Sequence, residues 1–468
     1  MLLFRTARPR SARLSTAVVL RPPVRSYYSA KGTSSRLQNY VAATGGIGTL
    51  SLWWLTNTRV DAKNPEGPAV ELLSAESNPT KAQVTEIISQ EAYSHQVRNV
   101  AGVDRYDGTQ VASNSPCEDD FMHGQFPSPR NNGDQWMAWG VFDGHLGWQT
   151  ADLLTKQLLP FVRRRLGEVA STPDSRSLSE EAVQCAIAQG FLDLDESIMN
   201  TALDARQSAE PLQEKVKKCL PAFAGSCALL SLYDPATGTL HVAYTGDSRA
   251  VLGQRQPDGA WKATPLSVDQ TGSNPEEIAR VYKEHPGEEG IVQNGRVLGL
   301  MVSRAFGDSQ WKWPLDVQEE MKRKFYGPAP LTPRFDVRTP PYLTAEPVVT
   351  STKLDPSKPS FLIMATDGMW DMLSNQQAVN LVGKWLAPEE AGKKKHSEAA
   401  TTAEPFDFGH FWNGVNWQFT DERTIIQDDN AAVHLLIAAR LAFSPPHARR
   451  VRDDITVQVV FFNTPGLK

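Results

Sequence analysis

The chain contains few cysteines, with only Cys117, Cys185, Cys219 and Cys227 in 468 residues. Their irregular spacing matches neither the paired spacing of a zinc site nor the framework of a secreted disulfide-rich domain. We therefore expect buried, reduced thiols. Neither charge dominates, since the formal net charge is −5, and this balance gives no indication of nucleic-acid binding. The length suits one large domain or two ordinary ones, and no internal repeat is evident.

Acidic residues are absent from the first 60 positions, and Asp61 is the first of them. The same stretch is rich in serine and arginine, beginning with Arg5, Arg8 and Arg10. This composition is typical of a mitochondrial presequence, whose positive charge suits import along a potential that is negative inside. We therefore predict a presequence over residues 1–39 and a mitochondrial location. A disordered basic tail is the alternative.

A long membrane-spanning run is also missing, although residues 40–56 are uncharged and apolar. A typical span needs about 20 residues. Two interpretations stay open: a marginal inner-membrane anchor or sorting signal, and a passive part of the presequence. The polar, proline-containing residues 57–85 indicate a linker. Residues 86–468 remain for the folded domain, with a lysine-rich and then aromatic insertion at about 388–421.

Acidic side chains stand at the ends of several predicted strands. The apolar run 136–142 ends in Asp143-Gly144-His145, and the run 361–366 ends in Asp367. Asp453 precedes a strand that begins at residue 455, and Glu118 begins a run of three acids. A single Asp-Gly pair is more often an ordinary turn. Repeated carboxylates at strand ends instead suggest a site for a hard divalent cation, Mg²⁺ or Mn²⁺.

Apolar spacing predicts helices among these strands. Residues 148–166 repeat apolar side chains at helical intervals, and residues 179–206 form a longer amphipathic pattern that Ser179 would cap. Further helices are expected over residues 274–285, 375–385 and 427–441, and strands over 225–233, 240–244 and 250–252. Strands and helices that alternate with hairpin-length links between strands indicate an α+β layered domain.

Two short segments carry expectations of their own. Tyr106-Asp107-Gly108 is a turn signal between extended pieces of residues 103–111. Trp311-Lys312-Trp313 suits either a substrate-docking surface or packing at the rim of a cleft. Both interpretations of the tryptophan pair stay open.

Taken together, these blocks resemble the metal-dependent serine/threonine protein phosphatases of the 2C type. Six segments occur in the order of that family and span most of residues 86–462. They are Asn114-Ser115-Pro116-Cys117-Glu118-Asp119, Val141-Phe142-Asp143-Gly144-His145, Thr245-Gly246-Asp247-Ser248-Arg249-Ala250, Val302-Ser303-Arg304-Ala305-Phe306-Gly307-Asp308, Ala365-Thr366-Asp367-Gly368-Met369-Trp370-Asp371 and Arg452-Asp453-Asp454-Ile455-Thr456-Val457. The resemblance implies a four-layer α-β-β-α sandwich of two largely antiparallel sheets flanked by helices, with a metal cleft at one end.

The resemblance also implies two Mg²⁺ or Mn²⁺ ions that activate a water, so that no covalent nucleophile is required. Asp143 would bridge the two ions, and Asp367 and Asp453 would hold one of them. The other would be held by the Gly144 carbonyl and, through waters, by Glu118 and Asp119. Asp247 and Asp371 match positions linked to a weaker third ion.

One catalytic and one substrate-binding residue follow from the same resemblance. His145 matches the residue proposed to protonate the leaving serine or threonine oxygen, and the ordinary pKa of histidine suits that role. Many family members carry an arginine four residues before Glu118, where it binds the substrate phosphate. This chain has Asn114 there, which brings no charge, so phosphate binding would rely more on the metals or on another cation. Asparagine at this place is a feature of the mitochondrial pyruvate dehydrogenase phosphatase branch.

That branch implies a phosphoprotein substrate, the phosphoserine of the pyruvate dehydrogenase E1α subunit. Such a substrate requires exposure to the matrix, whereas an anchor at residues 40–56 would suit an enzyme facing the intermembrane space. Two alternatives stay open: a mitochondrial type 2C phosphatase with other substrates, and a catalytically dead phosphatase fold that recruits partners. Dead relatives lose metal carboxylates, so the presence of Glu118, Asp143, Asp367 and Asp453 counts against the last alternative.

Overall fold

The computed structural model describes residues 88–130, 133–171, 178–390, 430–441 and 453–464, together with Leu467. The predicted presequence, the apolar segment 40–56, the whole linker 57–85 and residues 391–421 of the insertion lie outside these residues. Residues 388–390, which the sequence assigned to the insertion, instead continue a helix. Within the described residues, no helix is both long enough and apolar enough to cross a membrane.

Two large antiparallel sheets form the centre of the domain. The described strands are β1 (Tyr93–Gln96), β2 (Val103–Val111), β3 (Asp120–Pro127), β4 (Gln135–Phe142), β5 (Gly144–His145), β6 (Gly225–Ser226), β7 (Ala228–Asp234), β8 (Thr239–Thr245), β9 (Arg249–Arg255), β10 (Trp261–Pro265), β11 (Val292–Gln293), β12 (Arg296–Val297), β13 (Phe306–Gly307), β14 (Val348–Lys353), β15 (Ser360–Ala365) and β16 (Ile455–Phe462). One large sheet has the strand order β1-β2-β16-β15-β9-β10, and the other has the order β14-β8-β7-β4-β3. A small sheet, β13-β6-β5, and the hairpin β11-β12 lie beside them.

Helices cover both outer faces of the sheets. They are α1 (Gln149–Ala170), α2 (Glu180–Gln207), α3 (Leu212–Phe223), α4 (Pro275–Glu284), α5 (Ser309–Lys312), α6 (Leu315–Phe325), α7 (Asp367–Trp370), α8 (Asn375–Glu390) and α9 (Ala431–Leu441). Ser179 caps α2 by accepting a hydrogen bond from the Ala182 amide, and Asn274 caps α4 in the same way from Glu276. These are the ends that the cap and proline signals predicted.

Successive side chains of the central strands alternate between two cores, and this alternation produces the layers. On β4, Trp136, Ala138 and Phe142 belong to the core beneath α1 and α2, whereas Met137 and Trp139 face the core between the two sheets. The β15 strand divides in the same way, between the core beneath α8 and α9 and the core between the sheets. Because successive strand side chains point to opposite faces, each central strand contributes to two cores. The α+β four-layer prediction is therefore confirmed.

The predicted turn at Tyr106-Asp107-Gly108 is wrong, because β2 runs unbroken through it. Asp107 is fully buried in mid-strand, where it accepts hydrogen bonds from the Arg105 side chain at 2.7 Å and from the Ala431 amide at 2.8 Å. A Cβ at Gly108 would lie 2.1 Å from the ring of Tyr93. The acid and the glycine thus serve packing contacts with β1 and α9 rather than a change of chain direction.

The tryptophan pair near residue 312 is a packing element. Trp311 and Trp313 are 6% and 5% exposed, and Lys312 between them donates a 2.6 Å hydrogen bond to Asp195 of α2. The docking alternative for this segment is therefore wrong. The four cysteines are free, as predicted, but Cys185 is exposed rather than buried.

We predict that Gly190→Ala destabilises the domain by about 1–3 kcal/mol, because an added Cβ on α2 would lie 2.7 Å from the Val162 Cα of α1. Gly167→Ala is the matched control, since the space around its Cβ is open. There the gain in helix propensity should raise stability, by at most about 1 kcal/mol. Urea unfolding of both variants measures the difference, and equal effects at the two positions would contradict the close-contact explanation.

Candidate active site

Three aspartates from different parts of the fold meet at one end of the sheets. Asp143 follows β4, Asp247 lies in the turn between β8 and β9, and Asp367 begins α7 directly after β15. Each offers a carboxylate oxygen, and these oxygens all lie within 4.8 Å of one another. The sequence placed Asp247 with a separate, weaker ion, whereas the structure groups it with Asp143 and Asp367.

Burial makes this cluster unfavourable without a cation. Burial raises the pKa of Asp367 to about 8, and the charges of Asp247 and Asp453 add to that rise. The pKa of Asp143 is also raised well above its usual range, first by burial and then by the surrounding aspartates. Oδ1 of Asp367 is buried and has no hydrogen-bond partner within the described residues. Crowded carboxylates with unused oxygens fit a hard divalent cation such as Mg²⁺ or Mn²⁺.

The remaining predicted acids stand around this cluster at different depths. The charge of Asp453, just before β16, contributes to the raised pKa of both Asp143 and Asp367. Asp371 is exposed, and its charge acts on Asp367. Glu118 is half-buried, and its carboxylate accepts a hydrogen bond from the Gly147 amide. The structure thus brings Asp453 and Glu118 to the rim of the cluster, and the side chains of both Asp371 and Asp453 are exposed to solvent.

Asp119 is a buried acid that holds other parts of the site. Its Oδ2 accepts hydrogen bonds from the Thr366 hydroxyl at 3.0 Å and from the Thr456 hydroxyl at 2.8 Å. Thr366 directly precedes Asp367, so Asp119 ties the two carboxylate-bearing strand ends together. Gly144 lies so close to Glu118 that a Cβ there would be 2.2 Å from the Glu118 carbonyl oxygen. Only glycine fits between these segments.

Asp454 was not assigned a role from the sequence, although it adjoins Asp453. Its carboxylate accepts backbone hydrogen bonds from Ser113 at 2.5 Å, Asn114 at 2.8 Å and Glu118 at 2.7 Å. The Asn114 side-chain amide also donates to it, at 3.3 Å. Asn114 was predicted to bind substrate phosphate, but in this structure its amide binds Asp454. Three converging amides could be found only from the folded chain, because they lie more than 300 residues away.

His145 is held by Asp308, an aspartate for which the sequence predicted no role. The His145 Nε2 atom lies 2.7 Å from Oδ2 of Asp308, whose carboxylate is buried. Burial lowers the pKa of His145, but the charge and hydrogen bond of Asp308 outweigh it, so the net pKa is raised. Asp308 itself is positioned by Asp195, which accepts hydrogen bonds from the Gly307 amide and from Lys312. The sequence signal for this partner was Asp308 itself, the last residue of the Phe306-Gly307-Asp308 block.

The turn that carries Asp247 is fixed from two sides. The side-chain oxygen of Gln270 accepts a hydrogen bond from the Gly246 amide at 2.8 Å, and the backbone amide of Gln270 donates to the Gly246 carbonyl at 3.0 Å. The buried Cys227 thiol donates to Oδ1 of Asp247 at 3.3 Å. These contacts hold the Asp247 carboxylate in place while its charge is repelled by neighbouring acids.

Comparison with known proteins identifies relatives over most of the chain. The family model described as Protein phosphatase 2C matches residues 105–404. A protein phosphatase 2C homolog of Schizosaccharomyces pombe is 41% identical over 79% of this chain and 82% of its own length. Mitochondrial [pyruvate dehydrogenase [acetyl-transferring]]-phosphatase 1 of Saccharomyces cerevisiae is 32% identical over 94% of this chain and 83% of its own length. Its human namesake is 29% identical over 82% of this chain and 83% of its own length.

Among solved structures, the chain is similar to a serine-threonine phosphatase 2C from Toxoplasma gondii. The TM-score is 0.44 at 20% identity, over 79% of this chain and 99% of the other. A sex determining protein of C. elegans gives a TM-score of 0.45 at 19% identity, over 78% of this chain and 66% of the other.

We predict that substituting the two neighbouring aspartates that precede β16 has different effects: one substitution lowers stability, and the other weakens metal binding. Asp454→Asn should lower the free energy of unfolding by about 2–4 kcal/mol, since three backbone amides lose a charged acceptor. Asp453→Asn should leave stability unchanged and weaken Mn²⁺ binding about tenfold or more, because it removes a charge from the rim of the cluster. Urea unfolding and Mn²⁺ titration calorimetry distinguish the two. Equal loss of stability in both variants would contradict this division of roles.

Proposed function

Since the chain belongs to the protein phosphatase 2C family, and is therefore a serine/threonine protein phosphatase, we propose that its substrate is the phosphorylated E1α subunit of pyruvate dehydrogenase. The family resemblance read from the sequence is thus confirmed. The observation that supports this substrate is the 32% identity, over 94% of the chain, to a yeast pyruvate dehydrogenase phosphatase. For the reaction itself, the supporting observation is the buried cluster of Asp143, Asp247 and Asp367.

We propose that this cluster holds two divalent cations. Asp143 would contact both ions, because its carboxylate lies among those of Asp119, Asp247, Asp367 and Asp453. Bound there, Mg²⁺ or Mn²⁺ lowers the pKa of a water and neutralises phosphoryl oxygens. Outer ligands would come from the Gly144 carbonyl, Glu118, Asp119 and Asp453, and a weaker third ion would use Asp371 with Asp247.

His145 is proposed as the general acid that protonates the leaving serine or threonine oxygen. Its side chain is partly exposed, whereas its partner Asp308 is fully buried. The buried negative charge favours the imidazolium form, which keeps a proton available beside the cluster. Asp308 also fixes the ring orientation through Nε2, so the proton would be delivered from Nδ1. Asp308 thus acts as a positioning residue.

Asn114 provides no positive charge that could bind the substrate phosphate. The Asn114 amide is engaged by Asp454. Arg249, whose charge interacts with those of Asp247 and Asp371, is paired with Asp269 at 2.5 Å. We therefore propose that the cations provide most of the phosphate affinity, and that Asn114 contributes at most a single neutral hydrogen bond.

A mitochondrial location is proposed from the acid-free, arginine-rich N-terminus and from the two relatives named as mitochondrial phosphatases. Action on pyruvate dehydrogenase places the domain in the matrix. Both interpretations of residues 40–56, an anchor or sorting signal and a passive part of the presequence, stay open, because the segment lies outside the described residues.

The substrate proposal is tested by phosphate release from phosphorylated E1α and from phosphorylated casein, with Mn²⁺, with Mg²⁺ and with chelator. Metal-dependent release that is much faster from E1α would support the proposal. Equal rates on both proteins would keep the phosphatase and favour the second candidate, a mitochondrial phosphatase with other substrates.

We predict that Asp143→Asn abolishes metal-dependent activity without unfolding the domain. Removing one of several buried like charges relieves repulsion, so the metal-free variant should unfold at or above the temperature of metal-free wild type. Wild type should gain further stability from Mn²⁺, and the variant should not. Asp152→Asn, at an exposed ion pair on α1, is the control. Retained activity in Asp143→Asn would contradict the ligand assignment.

We predict that Asp308→Asn shifts the alkaline limb of the pH profile to lower pH. Asp308 raises the pKa of His145 against the effect of burial, so without that charge the imidazole loses its proton at a lower pH. Activity that depends on the imidazolium should then decline earlier as the pH rises. Profiles of kcat for both enzymes measure the shift. An unchanged limb together with a uniformly lower kcat would show that Asp308 acts only on the fold.

A further inference from the structure

Leu146, directly after His145, combines two unusual features. Its side chain is 61% exposed, and its φ of 59° lies in the left-handed region that branched and bulky residues seldom adopt. Single exposed leucines are common on protein surfaces and need no explanation. A leucine that is both exposed and held in a disfavoured backbone conformation is a different case, because the surrounding structure must maintain it.

The neighbours of Leu146 show what maintains it. Gly144 and His145 pair with Ser226 and Gly225 in the small sheet, and the His145 ring is bound to Asp308. On the other side, the Gly147 amide donates to the Glu118 carboxylate. Trp148, itself 42% exposed, is the N-cap residue that precedes α1. The backbone around Leu146 is thus anchored on both sides by groups of the active site.

The distance between Leu146 and Asp143 limits which parts of a bound substrate Leu146 can contact. Consecutive Cα atoms are 3.8 Å apart, so Leu146 lies within about 12 Å of Asp143 along the chain. A phosphoserine peptide with its phosphate at the aspartate cluster carries its neighbouring side chains within a similar distance. The exposed apolar side chain of Leu146 therefore lies within reach of the residues that flank a phosphoserine bound at the cluster.

We propose that Leu146 is a specificity-determining residue that favours phosphopeptides carrying an apolar side chain next to the phosphoserine. The proposal rests on the phosphatase function, and not on pyruvate dehydrogenase being the substrate. Contact between leucine and an apolar residue of the peptide removes both from water, while a polar neighbour gains nothing there. For one such contact, a preference of about threefold to tenfold in kcat/KM is expected.

The test uses the full-length chain, Mn²⁺ and two synthetic phosphoserine peptides that differ only in having leucine or asparagine on both sides of the phosphoserine. The kcat/KM of wild type should be about threefold to tenfold higher for the leucine peptide than for the asparagine peptide. Leu146→Asn keeps a residue that tolerates positive φ, and it should bring the ratio of kcat/KM close to one. Leu212→Asn replaces another exposed leucine, which begins α3 at the opposite end of that helix from Gly225, and it should keep the wild-type ratio.

Hydrolysis of p-nitrophenyl phosphate, which has no neighbouring residues, separates specificity from damage to the catalytic centre. The proposal requires the loss on the leucine peptide in Leu146→Asn to exceed any loss on p-nitrophenyl phosphate. Equal losses on both substrates would show that Leu146 supports the backbone of the site, and a wild type without preference would also overturn the proposal. A wild type that hydrolyses neither peptides nor p-nitrophenyl phosphate would instead overturn the phosphatase function itself.

Discussion

Mutual repulsion among buried carboxylates is the constraint on which this structure depends. Asp143 comes from the five-stranded sheet and Asp367 from the six-stranded sheet, and Asp247 lies in the turn by which the chain passes from one to the other. The two sheets can bring these charges together only if the cores between and outside them hold the strand ends rigidly. A divalent cation converts the repulsion into attraction, so the same packing that makes the site unfavourable when empty makes it selective for a hard cation.

A second group of residues keeps the ligands in place without binding the cation directly. Asp454 binds the amides of the loop that carries Glu118, and Gln270 fixes the turn before Asp247. Asp195 fixes the turn before Asp308, which in turn holds His145. Each contact joins two segments that are distant in sequence, and the contact of Asp195 joins helix α2 to the strand end at Gly307. Such outer contacts set ligand orientation in metal sites generally, and their loss weakens binding without removing a ligand.

The order of strands and helices predicted an α+β layered domain, and the family resemblance implied its four layers. Which side chains of β4 and β15 face which core became visible only in the structure. The prediction from sequence failed at Asp107 and Gly108, since a local turn signal carries no information about Tyr93 and Ala431, which make an unbroken strand favourable there. The family resemblance assigned Asp453 to the metal, but no role was predicted for Asp454, because its backbone partners are distant in sequence. Pairings such as His145 with Asp308, 163 residues apart, are set by the fold and not by neighbours in sequence.

In the segment that follows Asp143, some residues are fixed by contacts within the active site, whereas Leu146 can be replaced without loss of those contacts. Between Asp143 and α1, nearly every polar group is engaged: Gly144 cannot accept a Cβ, His145 is bound to Asp308, and the Gly147 amide is bound to Glu118. Among the side chains of this segment, Leu146 and Trp148 face solvent, and Leu146 is the more exposed of the two. A change there alters the surface beside the reacting phosphate while leaving the ligands in place. Substrate preference can therefore change at this position at little cost to the metal site, as long as the new residue tolerates a positive φ.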